Sequence, residues 1–434
     1  MGNSSVVALS RATADGRTLF GHNSTRVVGA AQSLLRVDGR SFALGEDINT
    51  CHVELPQARQ TFTVLANRSN GEWGYQHGIN EQGVAAGSTA IFSRVESAQP
   101  GLSGPDLVRL VLERSASALQ AVDVATDLIA RFGQGGSADG AFRDSALLIA
   151  DPREAYLLAA AGSHWAVQEV GAVRAVTNVC HLRQDWDRVS RGLADLVLER
   201  GWWPEDGSKI DFEGTVSAGG PPSSAGLRRW RHATLLLEEQ HGHIDGHFLR
   251  RLFSDHYEGC LDEADPCDPD PRDNTLCRHA ADGDPLETAL SLIADLGRED
   301  EAAPLTWWAF GPPCQSVYFP VVFEGELPVE FAAEGPGAID SVWRRMLRLN
   351  RDVARSPGRR QGMCEAMSAL QARFDQSTLD YLDEASAMRK RGERDERHRL
   401  ATAFMQHNLE HFEETWLGLM ENARTRQGLA ATPV

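Results

Sequence analysis

In the first part of the chain, short hydrophobic runs are separated by polar and glycine-rich turns, a pattern that predicts strands. Residues 5–9 (SVVAL), 17–21 (RTLFG) and 60–66 (QTFTVLA) show it. The glycine-punctuated stretch 71–92 adds a hairpin signal near its centre. The chain is therefore expected to begin as a β structure.

A helical period replaces this pattern between residues 103 and 133. Ser103 can cap the helix, Pro105 suits its first turn, and Gly133 can end it. Between these positions the apolar residues recur at helical spacing. The pattern predicts one helix across this stretch.

The rest of the chain returns to strands and then changes to helices. Strand-like runs at 145–179 form a predicted meander, residues 187–201 and 228–253 are helical in pattern, and 259–285 should be an exposed acidic loop. Strands return at 305–323. Because strands and helices are grouped rather than alternating, we expect α+β layers.

The composition sets limits on the partners. The formal net charge is −18, which argues against nucleic acid or an anionic membrane as the main partner. There are seven cysteines, an odd number at low density, and the first 25 residues lack the features of a secretory signal. We therefore expect free thiols and a cytoplasmic location. No apolar run is long enough to span a bilayer, so no membrane association is expected.

The motifs of several enzyme classes are missing. The sequence contains no phosphate-binding P-loop, no dinucleotide-binding G-x-G-x-x-G after a strand, and no G-x-S-x-G nucleophile elbow. Two histidine-rich stretches could bind zinc: 407–411 (HNLEH) fits the H-x-x-E-H pattern, and 241–248 (HGHIDGHF) holds three histidines. We favour a solvated helix face for the first and loop histidines for the second. Cys260, Cys267 and Cys277 include no C-x-x-C pair, which argues against a zinc knuckle. No metal and no cofactor is expected.

Taken together, several segments resemble the secernin and dipeptidase branch of the N-terminal nucleophile (Ntn) hydrolases. The matching segments are residues 11–24 (RATADGRTLFGHNS), 74–84 (GYQHGINEQGV), 106–136, 145–158 (SALLIADPREAYLL), 255–259 (DHYEG), 275–280 (TLCRHA) and 307–323 (WWAFGPPCQSVYFPVVF). The resemblance implies an α+β fold built as a four-layer αββα sandwich over residues 5–335, with a C-terminal helical extension at 336–425.

The resemblance also implies a nucleophile at the start of the mature chain. In this family that residue is a cysteine, which self-cleavage of a short leader makes N-terminal. Counting back from Asp15 places the position on Ser5, so a hydroxyl stands where relatives have a thiol, and residues 1–4 would be the leader. The freed α-amine, with a pKa near 7.7–8.0, could serve as the base that a serine needs.

The other catalytic positions match the family only in part. His22 stands where relatives carry a basic residue, and Thr25 replaces an acid. Ser88 and Thr89 replace an Asn-Glu pair, of which the asparagine helps to bind the oxyanion. Asn178 does match, and its amide could complete the oxyanion site. We predict Ser5, His22, Ser88 and Asn178 as catalytic, although Asn178 is also a common turn residue.

Three further residues are predicted to bind substrate: Trp73, Asn23 and Thr89. Trp73 would line the mouth of the pocket, although a tryptophan in the core is an equally good interpretation. Ser5, likewise, could be a strand-edge serine in a decayed active site.

The expected function is hydrolysis of an amide bond in a small peptide-like substrate, without a cofactor. Two alternatives stay open: an acyltransferase or rebuilt biosynthetic enzyme on the same fold, and a catalytically dead, secernin-like binding protein. The amphipathic tail, with its seam from Met405 to Leu419, could pack on its own domain or on a second copy in a homo-oligomer.

Overall fold

Two antiparallel sheets lie face to face at the centre of the fold. The computed structural model describes residues 2–95, 101–135, 144–217, 224–258, 275–281, 283–297, 304–335, 338–353 and 357–425. Within these ranges, one sheet has six strands and the other has eight, and every pair of neighbouring strands is antiparallel.

The six-stranded sheet carries the start of the chain on an inner strand, β1. Its order is β12-β1-β2-β14-β15-β16. The strands are β1 (Ser4–Ala8), β2 (Thr18–Val27), β12 (Val173–Val176), β14 (Leu286–Gly297), β15 (Leu305–Phe310) and β16 (Phe319–Val322).

The eight-stranded sheet has the order β13-β11-β10-β9-β8-β7-β6-β3. Its strands are β3 (Gln32–Val37), β6 (Val64–Ser69), β7 (His77–Asn80), β8 (Ala85–Ile91), β9 (Asp144–Ala150), β10 (Ala155–Ala161), β11 (His164–Glu169) and β13 (Arg188–Val189). A separate small hairpin joins β4 (Asp47–Asn49) and β5 (Glu54–Pro56).

Helices cover the outer face of each sheet. Helices α1 (Gly104–Arg114) and α2 (Ala118–Phe132) pack on the eight-stranded sheet, and α5 (Ser224–Glu239) and α6 (Gly246–Ser254) pack on the six-stranded one. Apolar residues fill all three spaces between layers. The predicted four-layer αββα sandwich is therefore confirmed.

The predicted helix at 103–133 is in fact two helices. Ser103 caps α1 in a capping box with Asp106, as the sequence suggested. A second cap at Ser117, which accepts the backbone N–H of Gln120, starts α2. Because two helices separated by a short break keep the same apolar spacing, periodicity alone did not reveal the interruption. Gly133, at φ 70°, ends α2 as expected.

The other helical predictions are also divided or shortened. The stretch 228–253 holds α5 and α6, with Gly242 (φ 86°) in the turn between them. The stretch 187–201 begins with β13 and continues as α3 (Leu193–Glu199), and α4 (Phe212–Val216) follows. Of the predicted acidic loop, residues 259–274 and residue 282 lie outside the described residues.

The C-terminal helices pack on the edge of the six-stranded sheet. They are α7 (Val342–Val353), α8 (Pro357–Arg391) and α9 (Arg394–Thr425). Phe319 of β16 contacts Phe374 of α8 and Phe412 of α9, with ring centroids 5.3 and 5.1 Å apart. The predicted seam of α9 thus faces its own domain. None of the helices in the described ranges combines the length and the hydrophobicity that crossing a membrane requires.

Candidate active site

The pairing of β1 with β2 brings Ser5 and His22 together. The two residues are directly opposite in the register, and the Ser5 Oγ lies 2.7 Å from the His22 Nδ1. Successive side chains of a strand point to opposite faces. Val6 packs against the outer helices and Val7 packs between the sheets, so Ser5 also points between the sheets. Both side chains are fully buried.

The surroundings of His22 keep its ring neutral. Burial, and after it the charge of Arg26, lowers the pKa of His22 to about 3. A neutral imidazole that carries its hydrogen on Nε2 presents Nδ1 as an acceptor. In that tautomer Nδ1 accepts the Ser5 hydroxyl proton, and His22 has the geometry of a general base for Ser5.

A second histidine, which the sequence analysis did not single out, lies beside the first. His77 of β7 contacts the His22 ring at 4.5 Å between centroids and stacks on Trp308 at 5.5 Å. Burial, followed by His22 and Arg26, holds the pKa of His77 well below its usual value. The two rings come from different sheets and are far apart in sequence, so no local spacing could have paired them.

The predicted leader is packed into the fold next to Ser5. The Asn3 side chain donates to the Ser88 carbonyl at 2.9 Å and accepts the Thr25 backbone N–H at 2.9 Å. A Cβ added to Gly2 would lie 2.5 Å from Nη1 of Arg278. Gly2, Asn3 and Ser4 are all buried. The bond between Ser4 and Ser5 is therefore fixed close to His22.

The predicted oxyanion residue Asn178 lies just after β12, the other neighbour of β1. Val176 pairs with Ser5, and Asn178 follows two residues later. Its amide donates to the Ala90 carbonyl at 3.0 Å, and its carbonyl oxygen lies 3.5 Å from a guanidinium nitrogen of Arg229. Burial, followed by Arg278, lowers the pKa of Arg229 to about 10, so this buried residue is cationic at neutral pH. The sequence analysis missed Arg229.

Ser88 and Thr89, which replace the family's Asn-Glu pair, lie in β8 and point to opposite sides of the sheet. Gly87 faces His22 across the space between the sheets, where an added Cβ would lie 2.4 Å from Nδ1. Ser88 therefore points the other way, towards α1, where a Cβ added to Gly104 would lie 3.1 Å from the Ser88 Cβ. Thr89 shares the inter-sheet side with Gly87. The structure does not bring the Ser88 hydroxyl towards Ser5.

The remaining predicted substrate residues lie away from the space between the sheets. The Asn23 amide donates to the carbonyls of Phe253 and Leu276, both at 3.0 Å, on the outer face of β2. Trp73 packs beside α1, where the Arg109 guanidinium lies 4.0 Å from its ring centroid. Asn23 thus joins β2 to the segments that contain Phe253 and Leu276, and Trp73 packs on Arg109 of α1.

Comparisons with known proteins agree with the superfamily expected from the sequence. The family model described as acyl-coenzyme A:6-aminopenicillanic acid acyl-transferase matches residues 45–192, about a third of the chain. That acyltransferase family belongs to the Ntn hydrolases. The match begins after β1 and β2, so it does not include Ser5 or His22.

Three solved structures are similar to the chain at low identity. A mutant of the conjugated bile acid hydrolase from Clostridium perfringens is 14% identical, with a TM-score of 0.43 and coverage of 71% of this chain and 89% of that chain. A second variant of that hydrolase is 13% identical, with a TM-score of 0.42 and coverage of 70% and 89%. The Caenorhabditis elegans N-acylethanolamine-hydrolyzing acid amidase orthologue is 12% identical, with a TM-score of 0.36 and coverage of 68% and 94%. Similarity at this level assigns no activity.

Proposed function

We propose that this protein is an amide-bond hydrolase of the Ntn type whose nucleophile is Ser5. The observation that carries the proposal is the 2.7 Å contact between Ser5 Oγ and His22 Nδ1, buried between the two sheets. The partial match to an Ntn acyltransferase family supports the reaction class. The substrate would be a small peptide-like amide.

Removal of residues 1–4 is the first reaction in this proposal. The Ser5 hydroxyl attacks the carbonyl carbon of Ser4, a C–O bond forms, the C–N bond between Ser4 and Ser5 breaks, and the Ser5 nitrogen gains a proton. Water then hydrolyses the ester and leaves a carboxylate on Ser4 and a free α-amine on Ser5. Before cleavage Ser5 has no α-amine, so His22 supplies the base.

Turnover of a substrate would use the same groups. Ser5 attacks the substrate carbonyl carbon, and its α-amine or His22 accepts the hydroxyl proton and passes it to the leaving nitrogen. The amide C–N bond then breaks, the amine leaves, and an acyl-enzyme remains on Ser5. The developing oxyanion needs donors in a dry site. The second N–H of the Asn178 amide and backbone N–H groups are suited to this role, and the Ser88 hydroxyl, which faces α1, is not.

The acceptor of the acyl group decides between hydrolysis and transfer. Water gives a dipeptidase-like or amidase-like enzyme of the secernin branch. An amine or thiol acceptor gives an acyltransferase, and the acyltransferase family match supports this second form. Both forms share the acyl-enzyme on Ser5, so the same first experiment tests them.

Intact-mass measurement of the purified chain tests the proposal. We expect a mature chain that begins at Ser5. Ser5→Ala should leave the leader attached, whereas the matched control Ser4→Ala should still be cleaved. A wild-type chain that keeps residues 2–4 would refute the N-terminal serine mechanism.

A reactive acyl probe then separates a live nucleophile from a cleaved but inactive chain. A β-lactone should add one acyl group to Ser5, located by peptide mapping, and should not label Ser5→Ala. Release of the acyl group to water against release to an added amine distinguishes hydrolysis from transfer.

A non-catalytic binding protein is the second candidate. The observation that favours it is the tight fixation of the leader, with Asn3 hydrogen-bonded at both ends of its amide and Ser5 inaccessible. This candidate predicts an uncut chain, no labelling by the β-lactone, and the same ligand binding in wild type and Ser5→Ala.

A further inference from the structure

Two histidines and two cysteines, residue types that can bind a metal ion, converge at one place outside the Ser5 site. His256 follows α6, Cys277 and His279 precede β14, and Cys314 lies in the turn after β15. Their ligand atoms all lie within 4.8 Å of one another. The two imidazole Nε2 atoms are 3.2 Å apart, and the His279 Nε2 lies 3.6 Å from the Cys277 Sγ and 3.2 Å from the Cys314 Sγ.

These separations resemble the edges of a tetrahedron around a zinc ion. Zn–N bonds of about 2.0–2.1 Å and Zn–S bonds of about 2.3 Å give edges of about 3.3 Å between two nitrogens and about 3.6 Å between nitrogen and sulfur. Two thiolates and two imidazoles are a preferred donor set for zinc. We propose that His256, Cys277, His279 and Cys314 bind one structural zinc ion.

The Glu258 carboxylate orients His256 as a metal ligand. The Glu258 carboxylate lies 3.3 Å from the His256 Nδ1 and accepts the His256 backbone N–H at 2.7 Å. A carboxylate on one ring nitrogen fixes the tautomer that leaves the other nitrogen free to bind metal. The intervening Tyr257 has a φ of 68°, a conformation that is rare for a bulky residue and that turns Glu258 back towards His256.

The burial of the cluster favours a structural role over a catalytic one. Cys277 is fully buried and His256 nearly so, so neither can reach a substrate as a nucleophile. Four protein ligands also leave no open position for water, which is the mark of a structural zinc site. Neither Cys277 nor Cys314 is in a disulfide.

The zinc ion would hold together segments that pack on the outer face of β2 and against the start of the chain, behind the strands that carry Ser5 and His22. Its ligands join three segments, and one of them, 275–279, lies against the start of the chain. Asn23, next to His22 in β2, donates to the Leu276 carbonyl, and the Arg278 guanidinium lies against Gly2. This role does not depend on whether Ser5 reacts.

Metal analysis of the full wild-type chain, purified without chelator, tests the proposal. We expect about one zinc per chain. Cys314→Ser should lose the metal, whereas Cys364→Ser should keep it. Cys364 is a suitable control because its Sγ lies 3.8 Å from the Cys314 carbonyl oxygen and it is not part of the cluster. Glu258→Gln should weaken zinc binding by about 10–100-fold, as loss of a supporting carboxylate does.

Two measurements on the wild-type chain keep the test independent of how well a variant folds. Replacement of zinc by cobalt should give the intense visible absorption of a tetrahedral site and a sulfur-to-cobalt charge-transfer band. Thiol counting should show Cys277 and Cys314 reduced. The proposal would be overturned by a chain that takes up neither zinc nor cobalt, by a chain that is purified with a metal other than zinc in this site, or by a Cys277–Cys314 disulfide.

Discussion

Substitution of Gly87 by alanine should disable His22 without altering any catalytic group. The added Cβ would lie 2.4 Å from the His22 Nδ1, 3.1 Å from its Cγ and 3.2 Å from its Cε1. An ordinary contact needs at least 3.4 Å, so the ring must retreat by about 1 Å. A retreat of that size would stretch the 2.7 Å bond to Ser5 to as much as about 3.7 Å, beyond hydrogen-bonding range.

The expected cost is large for cleavage and moderate for stability. A misplacement of about 1 Å can slow a positioned reaction by about 100-fold. Overpacking a buried site typically destabilises by about 1–3 kcal/mol. Intact-mass spectra over time would give the rate of leader removal, and urea unfolding would give the free energy of unfolding.

The control is Gly21→Ala in β2, the strand that carries His22, where the added Cβ overpacks the outer face of the six-stranded sheet. Its Cβ would meet the Phe253 ring, so stability should fall while the Ser5–His22 contact survives. If Gly87→Ala folds and is cleaved at the wild-type rate, then His22 is not the base for the Ser5 hydroxyl.

Three further outcomes are expected. The pKa of His22 is about 3 in the folded chain against 6.5 for a free histidine, so the unfolded chain binds the proton more readily. The free energy of unfolding should therefore be unaffected by His22 above pH 6.5 and should fall by up to about 1.4 kcal/mol per pH unit as the pH drops from 6.5 towards 3. His22→Asn should reduce this slope, measured by urea unfolding at a series of pH values. In a chain kept uncut by Ser5→Ala, Asn3→Ala leaves two buried backbone groups without their partner and should lower the free energy of unfolding by about 1–3 kcal/mol in urea; an unchanged value would contradict the packing of residues 2–4. Phe319→Ala should cost about 3–5 kcal/mol by denaturant unfolding, because its ring joins the sheet to two C-terminal helices, and an unchanged midpoint would contradict that packing.

The layers of the fold could be predicted from the sequence because they follow local patterns. Short apolar runs between turn residues marked the strands, and Ser103 and Gly133 marked the outer ends of the helical pair α1 and α2. The break at Ser117 was missed, since the side chain of a serine in a helical stretch can either cap a new helix or face solvent. Only the hydrogen bond to Gln120 distinguishes the two.

The candidate site was harder to predict because it depends on which face of a strand each residue occupies. Motif matching put Ser88 near the oxyanion, but the pleat of β8 turns its side chain to α1 and gives the inter-sheet side to Thr89. His77 and Arg229 come from elements distant in sequence from Ser5. The zinc ligands likewise come from three segments, and only the pair Cys277 and His279 is close in sequence, so ligand spacing could not reveal them.

The burial of Gly2, Asn3 and Ser4 also bears on inhibition. In the uncut chain this peptide fills the space beside Ser5. The surroundings of Gly2 leave no room for a side chain, and the Asn3 side-chain amide is hydrogen-bonded through both its nitrogen and its oxygen. If residues 1–4 are removed as proposed, a short peptide of the same sequence would fit the vacated space. The peptide Gly-Asn-Ser with an electrophilic group at its C-terminus is therefore a starting point for an inhibitor of the mature protein.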